Sequence, residues 1–274
     1  MPEGDTVHLA AARLHQALGD KVLRRTEFRV PRFATADVSG RRLQEVIARG
    51  KHLLFRIDGG VTLHTHFKME GSWHLYRHGE AWRGPAHQVR ALLETDDRVA
   101  VGFRLAITEL IDTGREDEVT GHLGPDVLGP DWDADEAVTR LQAEPDREIG
   151  EALLDQRVLA GVGNVYKCEI CFLRGIWPRT LVRDVPDLPG VVGLAKRLME
   201  ANRTTGQQIT TGDRRPGRKH WVYGRAGKPC LRCRSTIAHD RQMASGGERI
   251  TFWCPRCQTT GRPTSTTPSG HIAT

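Results

Sequence analysis

The chain contains no run of eighteen apolar residues, which excludes a membrane-spanning helix, and no repeat of fixed period, which excludes a solenoid or propeller built from a visible unit. Residues Met1 to Leu18 lack the basic-then-apolar pattern of a secretory signal, so the expected setting is cytoplasmic and reducing. Aromatics are sparse at 6%, and lysine is rarer still, with seven among 40 basic residues. The formal charge of +6 is therefore carried almost wholly by arginine, whose planar fork suits bidentate contacts to phosphate and base edges. A polyanionic partner follows. At 274 residues the chain exceeds one comfortable core, so two domains with a small added module are expected.

Cysteine is also scarce, but four of the six are ordered. Cys230, Cys233, Cys254 and Cys257 form two CxxC knuckles separated by twenty residues, the spacing of a closed four-cysteine site for one structural Zn2+. Two disulfides are the competing arrangement, disfavoured by the reducing setting. Cys168 and Cys171 make a third CxxC without a second knuckle nearby, and they read as helix packing residues rather than ligands.

Along the chain, a helical pattern runs from Asp5 to Leu18, with Asp5 or Thr6 as N-cap. Short alternating runs then follow to Asp112, among them Leu53–Ile57, Val61–His64, Trp73–Tyr76 and Arg104–Ile107, which predict a β-sandwich or barrel. Three glycines and two prolines between Gly121 and Asp131 mark a boundary. Helical patterns resume at 134–142, 147–159, 165–174 and 188–202, the middle pair joined by the turn Ala160-Gly161-Val162-Gly163-Asn164 as a helix-turn-helix unit. The segment from Thr204 to Lys219 reads as a mobile loop. The fold expected is α+β: an N-terminal β-sandwich with a leading helix (1–120), a linker (121–131), a helical DNA-binding domain (132–225), a zinc-finger hairpin (226–260) and a disordered tail (261–274).

The turn carries a chemical signal, because two glycines permit close approach while a cap at Asn164 leaves helix N–H groups free to hold a phosphate. It reads equally well as an ordinary interhelical turn. The basic run Arg214, Arg215, Arg218, Lys219, Arg225, Lys228, Arg232 and Arg234, set against the lone acid Asp213, tips the balance towards nucleic acid.

Several motifs in order, Met1-Pro2-Glu3-Gly4, Arg49-Gly50-Lys51-His52-Leu53, Lys68-Met69-Glu70-Gly71, Leu123-Gly124-Pro125-Asp126, Gly161-Val162-Gly163-Asn164-Val165-Tyr166 and Cys254-Pro255-Arg256-Cys257-Gln258, resemble the formamidopyrimidine-DNA glycosylase and endonuclease VIII family. The resemblance spans nearly the whole chain. It implies a helix-two-turn-helix domain and a bifunctional DNA glycosylase and abasic-site lyase acting through Pro2. Once Met1 is removed, Pro2 carries a secondary amine whose α-amino pKa of about 8 leaves a useful neutral fraction, so it can form a Schiff base with the sugar and support β/δ elimination. Without the resemblance, Pro2 reads as a helix-initiating proline.

By the same resemblance, Glu3 is the acid/base and Lys51 assists at the sugar-phosphate. Met69 fills the gap left by an extruded nucleotide, Asn164 and Arg249 bind phosphate, and Glu169 is a supporting acid. The residues alone also fit a first-turn acid at 3, an edge-strand lysine at 51 and a core methionine at 69. Pro2-Glu3-Gly4, and the absence of a Pro-Arg-Arg-Phe-Gly type loop near Asp97 to Phe103, place the resemblance nearer the endonuclease VIII branch and oxidised pyrimidines. The partner implied is damaged DNA, bound by a monomer with no membrane and no nucleotide cofactor, in a bacterial cytoplasm in association with the nucleoid. A noncatalytic damage-sensing module and a zinc-based redox sensor are the competing functions.

Overall fold

A computed structural model describes residues 2–244 and 247–262. The expected processing of Met1 and the tail from 263 onward lie outside these residues.

The first helix, α1 (Gly4–Leu18), buries Val7, Ala11, Leu14 and Leu18, which recur at helical spacing and so form one apolar stripe. That stripe packs on two antiparallel sheets. One sheet runs in the order β1 (Lys21–Val22), β3 (Arg42–Arg49), β4 (His52–Ile57), β5 (Val61–His66), β9 (Ile107–Asp112). The other runs β2 (Arg25–Phe28), β7 (Val89–Glu94), β8 (Val99–Phe103), β6 (Ser72–Tyr76). Leu53, Phe55, Leu63, Phe28, Leu93 and Ala100 share one core with the α1 stripe. The β3–β4 pair ends at Arg49 opposite His52, so Gly50 and Lys51 form the two-residue turn between them.

The second half is helical: α2 (Asp117–Thr120), α3 (Ala134–Gln142), α4 (Ile149–Ala152), α5 (Asn164–Leu173) and α6 (Leu188–Asn202). Asp133 caps α3 by accepting from the N–H groups of Asp135 and Glu136, and Asp187 caps α6 by accepting from Gly190. Beyond them β10 (Ala238–Gln242) and β11 (Arg249–Trp253) pair as a hairpin between the two cysteine knuckles. The hairpin docks on α5 through Phe252 of β11, which packs in one cluster with Cys168 and Phe172 of α5 and with Val222 and Ile237. Cys168 and Cys171 are buried packing residues of α5.

The α+β layout agrees with the sequence reading, and several local expectations do not. Helix α1 starts at Gly4 with Glu3 in the N-cap position; Asp5 lies inside it and is buried. Of the run Arg104–Ile107 only Ile107 is in a strand, at the start of β9; residues 104–106 are the turn between β8 and β9, where Arg104 adopts φ 49° and reverses the chain. The pattern over 147–159 yields only the single turn α4: the Asp155 carboxylate accepts from the Arg157 N–H at 3.0 Å, a local contact that competes with helix propagation. Within the linker expected at 121–131, Leu123, Asp126 and Val127 are buried and Asp126 bridges to Ala160.

Candidate active site

The site forms where the start of α1, the β3–β4 turn and the start of α5 meet. Gly4 donates its N–H to the Gly161 carbonyl at 2.9 Å, and a Cβ on Gly4 would stand 2.9 Å from the Gly161 Cα. Gly161 itself sits at φ 98°, a conformation open to glycine. The two glycines let α1 abut the turn before α5, which carries Glu3 into the helix N-terminus. Its carboxylate accepts from the N–H groups of Gly163 at 2.8 Å, Val165 at 2.7 Å and Tyr166 at 3.4 Å.

That arrangement revises one expectation. The N–H groups expected to cradle a phosphate are occupied by the chain's own carboxylate, and Gly163 rather than Asn164 is the N-cap. Asn164 is the first residue of α5, and its amide donates to the Ile250 carbonyl at 2.8 Å, tying α5 to the hairpin that carries Arg249.

Burial pushes the Glu3 carboxyl up to about 7, against the pull of Lys51 and the backbone donors. Lys51 donates to the Val162 carbonyl at 2.6 Å. Burial brings its ammonium down to about 8; the Glu3 charge opposes that fall and the charges of Arg249 and Lys68 add to it. The site thus holds an acid and a base whose proton affinities have moved towards each other and towards neutrality, the condition under which proton transfer is easiest in both directions.

Two cavities open on Pro2. One, of about 180 Å³, is lined by Glu3, Lys51, His66, Lys68, Met69, Asn164 and Arg249, a basic cleft suited to a sugar-phosphate. The other, of about 450 Å³, runs along α1 and β6 past Thr6, Leu9, Trp73 and Tyr76 to Gly206, and has room and aromatic surface for a base. Met69 crowns the loop between β5 and β6 with 62% of its surface exposed, so the core role for that side chain is excluded. Glu169 is fully buried on α5. It accepts from the N–H groups of Trp221 at 2.7 Å, Val222 at 2.9 Å and Tyr223 at 2.9 Å and from the Thr210 hydroxyl, and so ties the middle of the loop expected at Thr204 to Lys219 to the segment that follows it.

The Sγ atoms of Cys230, Cys233, Cys254 and Cys257 lie within 4.8 Å of one another, and all four thiols are free of disulfides. Four thiolates about 2.3 Å from a tetrahedral zinc stand about 3.8 Å apart. The Cys230–Cys257 and Cys233–Cys254 separations of 4.0 and 3.4 Å bracket that figure, so the donor set fits one structural zinc.

Profiles of known families match three stretches: the formamidopyrimidine-DNA glycosylase N-terminal domain over residues 1–105, its H2TH domain over 123–204, and the zinc finger found in FPG and IleRS over 227–260. The chain belongs to the formamidopyrimidine-DNA glycosylase and endonuclease VIII family. It is 52% identical to a probable endonuclease 8 2 of Streptomyces coelicolor over 94% of each chain. It is 49% identical to the DNA-(apurinic or apyrimidinic site) lyase Nei2 of Mycolicibacterium smegmatis, covering 94% of this chain and 99% of that one. In fold it is similar to the Lactococcus lactis formamidopyrimidine-DNA glycosylase bound to DNA with an abasic site, with a TM-score of 0.78, 22% identity, and 94% and 99% of the two chains covered.

Within this family framework, two carboxylates named in the sequence, Asp126 and Asp5, take partners that the sequence does not indicate. Asp126 accepts from the Gly50 N–H at 2.7 Å and so sets the Lys51 turn; nothing local in the motif Leu-Gly-Pro-Asp points 76 positions back. Asp5, a cap by its position in sequence, is instead a buried carboxylate receiving the Tyr166 hydroxyl at 2.9 Å. The ladder His52, His64 and Glu109, joined by two 2.8 Å contacts behind Lys51, likewise shows in the sequence only as strand alternation.

Proposed function

We propose that this protein is a bifunctional DNA glycosylase and abasic-site lyase of base excision repair, with Pro2 as nucleophile once Met1 is removed. The observation that carries the reading is that position 2 borders both cavities, the basic cleft and the base-sized one, with Glu3 and Lys51 in the cleft wall. The free Pro2 nitrogen attacks C1′ of an extruded nucleotide; the glycosidic electron pair leaves with the base, which is protonated as it departs. Glu3 supplies a proton to the opening sugar ring, and the resulting iminium acidifies the C2′ hydrogen. Loss of that proton expels the 3′ phosphate, and a second elimination expels the 5′ phosphate. Lys51 and Arg249 balance the phosphate charge in the cleft, and Met69 fills the space left in the duplex.

Oxidised pyrimidines are the proposed substrates. The β7–β8 turn is closed by Thr95 donating to Arg98 at 2.9 Å, which leaves no long arm there to contact the opposite strand. The setting proposed is a monomer on the chromosome in a bacterial cytoplasm, needing no nucleotide cofactor. The deciding experiment is borohydride reduction of the processed enzyme with abasic duplex DNA. A covalent complex whose peptide map places the sugar on Pro2 is expected. Retention of trapping when an N-terminal extension converts the Pro2 nitrogen to an amide would overturn the assignment.

A further inference from the structure

Asp5 joins three parts of the molecule through one side chain. It lies on α1, three residues from the nucleophile, with 3% of its surface exposed. Its Oδ2 accepts from the Tyr166 hydroxyl at 2.9 Å, which ties it to the same first turn of α5 that binds Glu3. Its Oδ1 accepts from Gln208 Nε2 at 3.1 Å, across 203 positions of sequence.

Gln208 is itself held in place. His220 Nε2 lies 2.9 Å from its carbonyl, and the adjacent Ile209 is bracketed by Asn202, accepting from the Ile209 N–H and donating to its carbonyl, both at 2.9 Å. Two residues before it, Gly206 lines the 450 Å³ cavity, so near α1 that a Cβ there would stand 3.3 Å from Leu9.

We propose that Asp5 is a positioning residue that, through Gln208, sets the segment around Gly206 as the far wall of the base-receiving cavity, so that base excision depends on the Asp5–Gln208 contact and cleavage at a site already lacking its base does not. This rests on the assignment of that cavity to the extruded base. A buried carboxylate suits this role chemically, since it accepts from the neutral amide and the hydroxyl together, and losing either donor leaves charge uncompensated. Asp5 also acts on the acid beside it. The ionisable groups around it are Glu3 at the start of its own helix, Lys51 from the β3–β4 turn and Tyr166 from α5, and the Asp5 charge strengthens the hold of both Glu3 and Lys51 on their protons.

The test compares single-turnover rates of the processed full-length enzyme on one duplex carrying an oxidised pyrimidine and on the same duplex carrying a preformed abasic site. Gln208→Ala is expected to slow the first reaction tenfold or more and leave the second within twofold. Gln208→Glu, which sets a second carboxylate against Asp5, is expected to slow the first further. Asp5→Asn keeps the oxygen that Gln208 needs and removes the charge, so its abasic-site cleavage profile shifts to lower pH while excision is less impaired than in Gln208→Ala. Equal losses on both substrates, or none on either, overturn the inference, as does an unmoved pH profile in Asp5→Asn. A wild-type enzyme inert on abasic DNA instead removes the functional reading beneath it.

Discussion

Two opposing forces act on the Glu3 carboxyl: removal from water favours its neutral form, and three N–H groups at a helix start favour its anion. Burial outweighs the donors, leaving a proton that departs at about pH 7. Pro2, as the proposed nucleophile, would act only as the free amine, with a reference pKa of about 8. The sign follows from each group in turn: raising pH supplies neutral amine but removes the Glu3 proton. Excision by the processed enzyme is therefore expected to follow a bell centred between roughly pH 7 and 8, and Glu3→Gln is expected to lose the alkaline limb along with most of the rate. A pH–rate series under single turnover reads both.

Gly163 offers a second test at this scale. A Cβ there would stand 2.4 Å from the Glu3 Cδ, so Gly163→Ala must displace the carboxylate. Excision is expected to fall on the order of 100-fold, the lower range for a lost general acid, while calorimetry still shows a cooperative fold. That Pro2, Glu3 and Lys51 share one cleft agrees with the short motifs that hold them in the sequence. The contacts of Asp5, Asp126 and Gln208 are not legible there, because their partners lie 76 to 203 positions away, beyond the reach of periodicity or spacing.

Among the described elements, the β10–β11 hairpin is expected to depend on metal. It spans the interval between the knuckles, and Arg249 stands at the start of β11 opposite Gln242. Chelation is expected to release the hairpin, weaken DNA binding at least tenfold and lower the melting temperature. Arg249→Ala, which removes one charge-assisted phosphate contact of about 1.5–3 kcal/mol, should weaken binding by roughly 10 to 100 fold with zinc content intact. Metal analysis beside a binding titration separates the two. For the β5–β6 loop, Met69→Ala is expected to slow excision from duplex about tenfold and from single strands far less, since only a duplex leaves a gap to fill. Cysteine spacing makes the hairpin readable and alternation makes most strands readable. The run 147–159 misleads because its apolar residues keep a helical period through a turn that the Asp155 side chain imposes.

At the scale of the molecule, the halves are joined by their active groups rather than by apolar surface alone. Gly4 meets Gly161, Gly50 meets Asp126, Glu3 caps α5 and Lys51 reaches Val162. The fold class is legible from the order of strand-like and helix-like segments, but this seam is not, since composition marks 121–131 as a spacer while the structure buries much of it. Separately expressed N-terminal and helical fragments are expected to regain trapping of abasic DNA only when mixed.

The approach of Gly4 to Gly161 also bears on how the protein comes into being. A ribosome releases residue 2 first and residue 161 long afterwards, so the amine exists for most of translation beside no acid cradle and no zinc hairpin. On the proposed assignment, reactivity towards damaged sugars arrives only when the last third of the chain has emerged, and a truncated product would carry Pro2 without the groups that put it to use.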